Sequence, residues 1–188
     1  MLTERFERAL VFAAQLHRDQ RRKGSGVPYV SHLLAVCELT LEYGGDEDEA
    51  IAALLHDAIE DQGGATARAE IFRMFGARVT EIVDGCTDTD ESPKPAWLPR
   101  KEAYVHHIAT ASASVRLVSA CDKLHNARSL TMDYRVYGED LWDRFTGRRE
   151  GTLWYYRAMV NALRAAGPAP VVDELDRVVS ELERLACA

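Results

Sequence analysis

The sequence predicts an all-α protein, a bundle of helices packed around one core. Apolar residues recur at spacings of three and four along most of the 188 residues, which is the period of an amphipathic helix. Glycine pairs and a proline-rich stretch divide these runs into segments of helical length. One short run at 115–118 could pass for a strand, but it has no second strand to pair with and cannot make a sheet.

The first three helices are separated by two breaks. An apolar stripe over 6–16 predicts the first helix, and the charged, glycine-containing stretch 19–26 predicts a loop. A second helix covers about 30–41 and ends near Gly44-Gly45. Asp46 is a suitable N-cap for the third helix, with acidic residues in its first turn, and we expect that helix to run unbroken to about Asp61.

The rest of the chain continues the helical pattern, without an internal repeat or a linker that would divide two domains. The stretch 88–99 is rich in proline and acidic residues, so we expect an exposed loop there. The remaining expected helices are about 65–75, one that begins after Gly76, 100–112, 114–131, 139–146, 150–166 and 171–185.

Composition excludes several classes of protein. With 23 basic and 30 acidic residues the formal net charge is −7, so the chain lacks the broad basic field of a nucleic-acid binder. No apolar run approaches the roughly 18 residues of a membrane helix. The first residues lack the pattern of a signal peptide, and the four cysteines form no C-x-x-C pair. We therefore expect a cytoplasmic protein with reduced thiols.

The strongest local signal is HDAIED at residues 56–61. It places His56, Asp57, Glu60 and Asp61 in an otherwise apolar segment, where burying ionisable groups is costly without compensation. A divalent cation would supply that compensation, whereas a solvated helix end would need none. On one continuous helix, Glu60 lies one turn beyond His56 and Asp61 one turn beyond Asp57, each on the same face.

Two further residues complete a candidate ligand set. His32 lies in the preceding helix and comes level with His56 if the two helices pack antiparallel across the Gly44-Gly45 turn. Asp122 lies within the apolar helix 114–131. Taken singly, each could be a core histidine or a buried hydrogen-bond acceptor. Two imidazoles and two carboxylates together suit Mn²⁺, with Fe²⁺ and Zn²⁺ as alternatives.

These residues reproduce the H…HD…D signature of the HD superfamily of metal-dependent phosphohydrolases. Four blocks resemble the hydrolase domain of RelA/SpoT homologues, most closely the small stand-alone alarmone hydrolases. The blocks are RRKGSGVPYVSH (21–32), AALLHDAIED (52–61), FGARVTEIVDGCTD (75–88) and CDKLHNARSL (121–130). The similarity covers about 5–131 of an expected single HD-type domain over 1–188, and the C-terminal helices in 132–188 match less clearly.

The resemblance implies a role for each residue of the candidate site. The metal ligands would be His32, His56, Asp57 and Asp122. Glu60 and Asp61 match the acidic pair that positions or activates the attacking water in that family. The family's substrate is guanosine tetra- or pentaphosphate, which is cut at the 3′-pyrophosphate, and some stand-alone members act on NADPH.

The resemblance also implies substrate contacts. Arg22 and Lys23 match a basic pair beside the nucleotide, and Asn126 matches a residue that contacts the nucleoside. Lys123, next to a predicted ligand, is an additional candidate. We therefore expect a small-molecule nucleotide as the partner, most simply guanosine tetraphosphate, which would give GDP and pyrophosphate. The alternatives are hydrolysis of NADPH or a nucleoside monophosphate, or a catalytically silent nucleotide-binding module.

Other residues leave two interpretations open. The dense basic cluster of Arg18 and 21–23, flanked by Gly24 and Gly26, fits a phosphate-binding turn or a solvated loop. The aromatic run 154–156 fits stacking on a base or ordinary core packing. The sequence leaves the oligomeric state open.

The remaining histidines are expected to play supporting roles. His125 lies three residues after Asp122, and we expect it to support the ligands rather than join them. His17, His106 and His107 have no candidate partner close to them in the sequence. We therefore expect them to be structural.

Overall fold

The computed structural model describes residues 1–23, 25–91 and 93–187. Within these ranges it contains ten α-helices, one 3₁₀ helix and no strand, which confirms the predicted all-α class. The helices are α1 Glu4–Leu16, α2 Val30–Glu42, α3 Glu47–Leu55, α4 Ala58–Gln62, α5 Gly64–Phe75, α6 Ala77–Cys86, α7 Trp97–Thr110, α8 Ala113–Tyr137, the 3₁₀ helix Gly138–Arg144, α9 Arg148–Ala165 and α10 Pro170–Ala186. Gly24 of the predicted basic loop and Ser92 of the predicted acidic loop lie outside the described residues.

The start of α3 confirms the predicted N-cap. The side chain of Asp46 accepts a hydrogen bond from the amide of Glu49 at 3.0 Å, and the Glu49 carboxylate accepts one from the Asp46 amide at 2.8 Å. This reciprocal capping box satisfies two donors that the helix end would otherwise leave free. Acidic side chains at 47–49 also interact favourably with the helix dipole.

The expected unbroken helix from Asp46 to Asp61 is wrong. The third helix ends at Leu55 and α4 begins at Ala58, and Asp57 lies between them with φ −98° and ψ 1°. Glu60 is therefore not on the same face of one helix as His56. Neighbouring side chains on an intact helix diverge by about 100°. The break between α3 and α4 allows His56 and Asp57 to converge instead.

The longest helix, α8, lies at the centre of the fold. It packs against α2, α3, α6, α9 and α10, and it extends beyond the expected end at residue 131 to Tyr137. Gly138, with φ +55°, ends the helix in a conformation that favours glycine. Because α2 and α3 pack on one another and on α8, side chains from all three meet inside the bundle.

Two further features of the fold concern its cysteines and the apolar character of its helices. All four cysteines are unpaired, and three of them are buried. Among the described residues, no helix has the length and apolar character needed to cross a lipid bilayer.

Candidate metal centre

The side chains of the four predicted metal ligands lie near one another between α2, the α3–α4 break and α8, and ligand atoms of three of them, His32, His56 and Asp57, lie within 4.8 Å of one another. Nε2 of His56 lies 3.0 Å from Oδ2 of Asp57, and Nε2 of His32 lies 3.2 Å from Oδ1 of Asp122. The crossed pairs, His32 with Asp57 and His56 with Asp122, are both separated by 3.7 Å. Atoms that each lie about 2 Å from one ion are about 3 to 4 Å from each other. The four His–Asp distances are compatible with a shared ion, and the ligand set stays a prediction.

The orientation of His56 fits a bound cation. Its ring is 2% exposed, and Nδ1 lies 2.8 Å from the carbonyl oxygen of Ala53. A carbonyl only accepts, so Nδ1 carries a hydrogen, and Nε2 faces the carboxylates of Asp57 and Asp122. That buried Nε2 has no hydrogen-bond partner among the described residues. It shares its space with two carboxylates, and a metal ion would satisfy all three groups.

The electrostatics of the cluster also favour positive charge. Burial lowers the pKa of His56, but the carboxylates of Asp57 and Asp122 outweigh burial and raise that pKa well above its usual value. Burial raises the pKa of both carboxyls, yet His56 lowers that of Asp57, and Lys123 and the two histidines lower that of Asp122. Both aspartates are therefore ionised, as metal ligands require.

Two of the predicted ligands are held by partners that the motif itself does not contain. The hydroxyl of Tyr29 donates a hydrogen bond to Oδ2 of Asp57 at 2.5 Å. Nδ1 of His125 lies 2.8 Å from Nδ1 of His32, so the expected supporting role of His125 agrees with its position. Burial, followed by His32, lowers the pKa of His125 to about 4. Such outer partners fix the orientation of metal-binding side chains.

Lys123 and Asn126 both donate to Asp122. The ammonium of Lys123 lies 2.5 Å from Oδ2, and the amide nitrogen of Asn126 lies 2.5 Å from Oδ1. Lys123 also lies over the rings of Tyr104 and Tyr155, at 5.3 and 5.8 Å from their centroids. The structure therefore places both residues behind a predicted ligand, and their contact with substrate stays a prediction.

The acidic pair at the start of α4 shares one cation. The ammonium of Lys94 lies 2.8 Å from Oε1 of Glu60 and 3.6 Å from Oδ1 of Asp61. Burial lowers the pKa of Lys94, but its hydrogen bond to Glu60 outweighs burial and leaves that pKa raised. The other oxygen of Asp61 accepts a hydrogen bond from Nε2 of Gln20 at 2.8 Å. The pair is thus held together one helical turn after the predicted ligands.

A second group of cations lies beside this acidic pair, and sequence reasoning missed it. Arg100 and Lys101 at the start of α7 both contact Oδ2 of Asp88, and Arg100 also lies 3.7 Å from Glu60. The ammonium of Lys101 lies 4.8 Å above the ring of Tyr155. The only sign of this group in the sequence is the adjacent pair Arg100-Lys101, directly after the expected loop 88–99. The sequence does not show that the loop brings this pair close to Glu60.

The residues of the predicted basic turn and of the aromatic run 154–156 differ in how far they are buried. Arg22 is half-buried and close enough to contribute to the lowered pKa of His125, whereas Lys23 is exposed. Tyr155 and Tyr156 are buried in the core, which supports the packing interpretation for both. Trp154 remains 38% exposed.

The expectation that His17 lacks partners is wrong. The ring is buried, and Nδ1 lies 2.5 Å from Oε1 of Gln20. The ring also stacks on Tyr29, with centroids 5.5 Å apart and an interplanar angle of 18°. His107 also has a partner, because its Nε2 lies 3.1 Å from the carbonyl oxygen of Gly85.

Comparison with known protein families agrees with this geometry. A model of the HD domain matches residues 9–153, which is most of the chain. The chain belongs to the HD domain family. The match includes all four residues of the candidate metal centre and the acidic pair at 60–61.

Curated members of the HD domain family share substantial identity with the chain. It is 39% identical over 122 residues to guanosine-3′,5′-bis(diphosphate) 3′-pyrophosphohydrolase MESH1 of Danio rerio and of Homo sapiens. Each match covers 63% of this chain and 65% of the relative, so the match spans just under two thirds of those proteins. A probable guanosine-3′,5′-bis(diphosphate) 3′-pyrophosphohydrolase of Synechocystis is 35% identical over 126 residues, which is 16% of its length.

Solved structures extend the similarity beyond the aligned sequence. A metazoan SpoT orthologue, described as hydrolysing ppGpp, superposes with a TM-score of 0.79 at 29% identity over 95% of both chains. A Listeria monocytogenes EGD-e protein superposes with a TM-score of 0.71 at 26% identity, over 79% of this chain and 96% of the other. The first of these superpositions includes most of the C-terminal helices, whose sequence resembles the family less clearly.

Proposed function

We propose that this protein is a metal-dependent phosphohydrolase that converts guanosine 3′,5′-bis(diphosphate) and water to GDP and pyrophosphate. The observation that carries the proposal is the buried cluster of two imidazoles and two carboxylates. Within it, Nε2 of His56 has no hydrogen-bond partner in the part of the chain that the structure describes. The names of two curated relatives support the substrate.

The proposed metal ligands are His32, His56, Asp57 and Asp122. This set of nitrogen and oxygen ligands suits Mn²⁺, with Fe²⁺ and Zn²⁺ as alternatives. Such a cation supplies Lewis-acid stabilisation of a phosphate oxygen and lowers the pKa of a bound water.

Glu60 and Asp61 would orient the attacking water and accept its proton. Lys94 lies between their carboxylates, so it would keep the two side chains together while their charges repel. General-base catalysis requires a carboxylate within hydrogen-bond reach of the water. The position of both side chains one turn after Asp57, at the start of α4, is compatible with that role.

The charges around the site support a substrate with several phosphates. The whole chain is acidic, with a formal net charge of −7, yet cationic side chains surround the acidic pair and the candidate ligands. These are Arg22, Lys94, Arg100, Lys101 and Lys123. Arg100 and Lys101 share a single carboxylate oxygen of Asp88. These five cations balance the five carboxylates of Asp57, Glu60, Asp61, Asp88 and Asp122, so a bound divalent cation would leave the site net positive and able to attract a polyanion that the rest of the surface repels.

A hydrolysis assay with matched substrates tests the proposal. The metal-free protein is incubated with guanosine 3′,5′-bis(diphosphate), with and without added Mn²⁺, and GDP and pyrophosphate are measured. We expect both products in equal amounts and only with metal. NADPH and GMP serve as parallel substrates, for which orthophosphate release would indicate the alternative specificity. Nucleotide binding without any product in the presence of Mn²⁺, Fe²⁺ or Zn²⁺ would overturn the proposal in favour of a silent binding module.

A further inference from the structure

Gln20, just after α1, contacts three side chains: that of His17, three residues before it, and those of Asp61 and Gln62 in α4. Its Nε2 lies 2.8 Å from Oδ2 of Asp61. Its Oε1 lies 2.5 Å from Nε2 of Gln62 and 2.5 Å from Nδ1 of His17. No role for Gln20 follows from the sequence pattern, and none of the four proposed metal ligands takes part in these hydrogen bonds.

The donor and acceptor roles in this network have one consistent solution. An ionised carboxylate only accepts, so the group of Gln20 that faces Asp61 must be the amide nitrogen. The amide oxygen then faces His17 and Gln62 and accepts from both. Reversing the amide would place its oxygen against the carboxylate of Asp61 and would break the hydrogen bond there. Three neighbours therefore fix the orientation of one side chain.

His17 is buried and stacked, and its hydrogen bond helps to fix the orientation of the Gln20 amide. Its ring is 2% exposed and stacks on Tyr29, whose hydroxyl donates to Asp57. Burial lowers the pKa of His17, so the ring stays neutral with its hydrogen on Nδ1. The stacked pair thus connects Gln20 to the same part of the fold that orients a proposed metal ligand.

The geometry points to Gln20 as a positioning residue for Asp61. Gln20 holds Oδ2, and Oδ1 is left beside Lys94 and Glu60, where the water would be activated. Without the amide donor, the Asp61 side chain keeps only its longer contact with Lys94, at 3.6 Å, and its orientation is less constrained. This inference rests on the proposed function, because Asp61 has a role in turnover only if the chain is a hydrolase.

Two substitutions at Gln20 test the effect on turnover. Gln20→Met removes both hydrogen-bonding groups, and Gln20→Glu keeps the size and the acceptor but places a carboxylate against Asp61. We expect both to lower kcat by about ten- to a hundredfold, the cost of misplacing a reacting group. The KM for guanosine 3′,5′-bis(diphosphate) and the bound Mn²⁺ should stay within twofold. Gln15→Met, at an exposed position of α1, is the matched control and should behave as the wild type.

A structural measurement separates this inference from the proposed function. The side-chain amide signal of Gln20 is identified in ¹H–¹⁵N spectra by its loss in Gln20→Met. It should shift in Asp61→Ala and stay in place in Glu42→Ala, which changes an exposed acid at the end of α2. An unchanged signal in Asp61→Ala, or an unchanged kcat in Gln20→Met, would overturn the inference. Absence of turnover in the wild type would overturn only the proposed function, and the amide signal would still decide whether Gln20 holds Asp61.

Discussion

The hydroxyl of Tyr29 donates to Oδ2 of Asp57 at 2.5 Å, and that same oxygen lies 3.0 Å from Nε2 of His56. The Tyr29 ring stacks on His17 and meets the edge of His32 at 5.4 Å between centroids. Tyr29 therefore contacts two proposed ligands, Asp57 and His32, and its hydroxyl orients the Asp57 carboxylate. Burial, reinforced by Asp57, raises the pKa of Tyr29, so the phenol remains a donor.

Tyr29→Phe isolates the contribution of that hydroxyl. The ring packing is retained, whereas Asp57 loses the donor that orients it. We expect the affinity for Mn²⁺ to fall by about ten- to a hundredfold, the usual cost of removing an outer partner of a metal ligand. Titration calorimetry with Mn²⁺ measures this directly. Tyr134→Phe is the control, because it removes a hydroxyl that bonds only Glu139 in the described structure. Equal affinities for all three proteins would contradict the prediction.

Asp57→Ala and Glu60→Ala should separate metal binding from turnover. Asp57→Ala removes a proposed ligand, so we expect both the bound metal and pyrophosphate release to be lost. Glu60→Ala leaves the four ligands intact and should retain metal while kcat falls by about a hundredfold or more, the typical contribution of a positioned general base. Elemental analysis of the purified proteins, followed by the pyrophosphate assay, gives both quantities. Normal turnover by metal-loaded Glu60→Ala would exclude Glu60 from water activation.

Gly147→Ala should weaken substrate binding through the position of α7. A Cβ atom at Gly147 would lie 2.7 Å from the Trp97 ring, whereas one at Gly151 would lie 3.1 Å from it. Displacing Trp97 at the first turn of α7 would move Arg100 and Lys101. We expect a severalfold increase in KM and a loss of about 1 to 3 kcal/mol in the free energy of unfolding.

Gly151→Ala is the matched control for Gly147→Ala. Its contact with Trp97 is looser, and alanine favours the helix interior of α9 by about 0.5 to 1 kcal/mol relative to glycine. We therefore expect a smaller change in KM and little net change in stability. Urea unfolding and steady-state kinetics provide both numbers. A KM that is equal in the two variants would show that Trp97 does not position the cations.

The sequence predicted the helices and the candidate ligands because both depend on local patterns. The amphipathic period and the capping residue Asp46 determine where helices begin and end. The candidate ligands stand out because ionisable side chains are costly to bury in apolar helices unless a partner or a metal ion compensates them. The central helix nevertheless extends further than expected, to Tyr137, because the apolar period that predicts a helix weakens after residue 131, where most side chains are exposed.

Two features of the site could not be predicted from local patterns. At the break at Asp57, the amide of Asp61 still donates to the carbonyl of Asp57 at 3.0 Å, as in a helix. The helical spacing of apolar residues therefore continues across the break and gives no sign of it. Arg100 lies 3.7 Å from Glu60, and Lys101 contacts the same Asp88 oxygen as Arg100, at the start of a helix that packs against α9 through Trp97. Both depend on tertiary packing, which a single sequence does not reveal.

The C-terminal helices offer a test of stability that leaves the site untouched. The guanidinium of Arg157 on α9 bonds both carboxylate oxygens of Glu183 on α10, at 3.0 and 2.6 Å, and also contacts Asp176. Arg157→Met should lower the free energy of unfolding by about 1 to 2 kcal/mol at pH 7. The bound metal and kcat should be unchanged. Arg135→Met, which breaks a more exposed pair with Glu181, should cost less than about 0.5 kcal/mol.

The effect of Arg157→Met should depend on pH in a defined direction. The hydrogen bond from Arg157 holds the pKa of Asp176 below its usual value, against the opposing effect of burial. A carboxyl with a lowered pKa contributes its full stabilisation above its unfolded value of about 3.9 and loses it as the pH falls through the folded value. The stability difference between wild type and variant should therefore be largest above about pH 5 and shrink near pH 3. Urea unfolding at both pH values checks this, and a difference that persists at pH 3 would mean that the contacts of Arg157 stabilise the fold by packing rather than by charge.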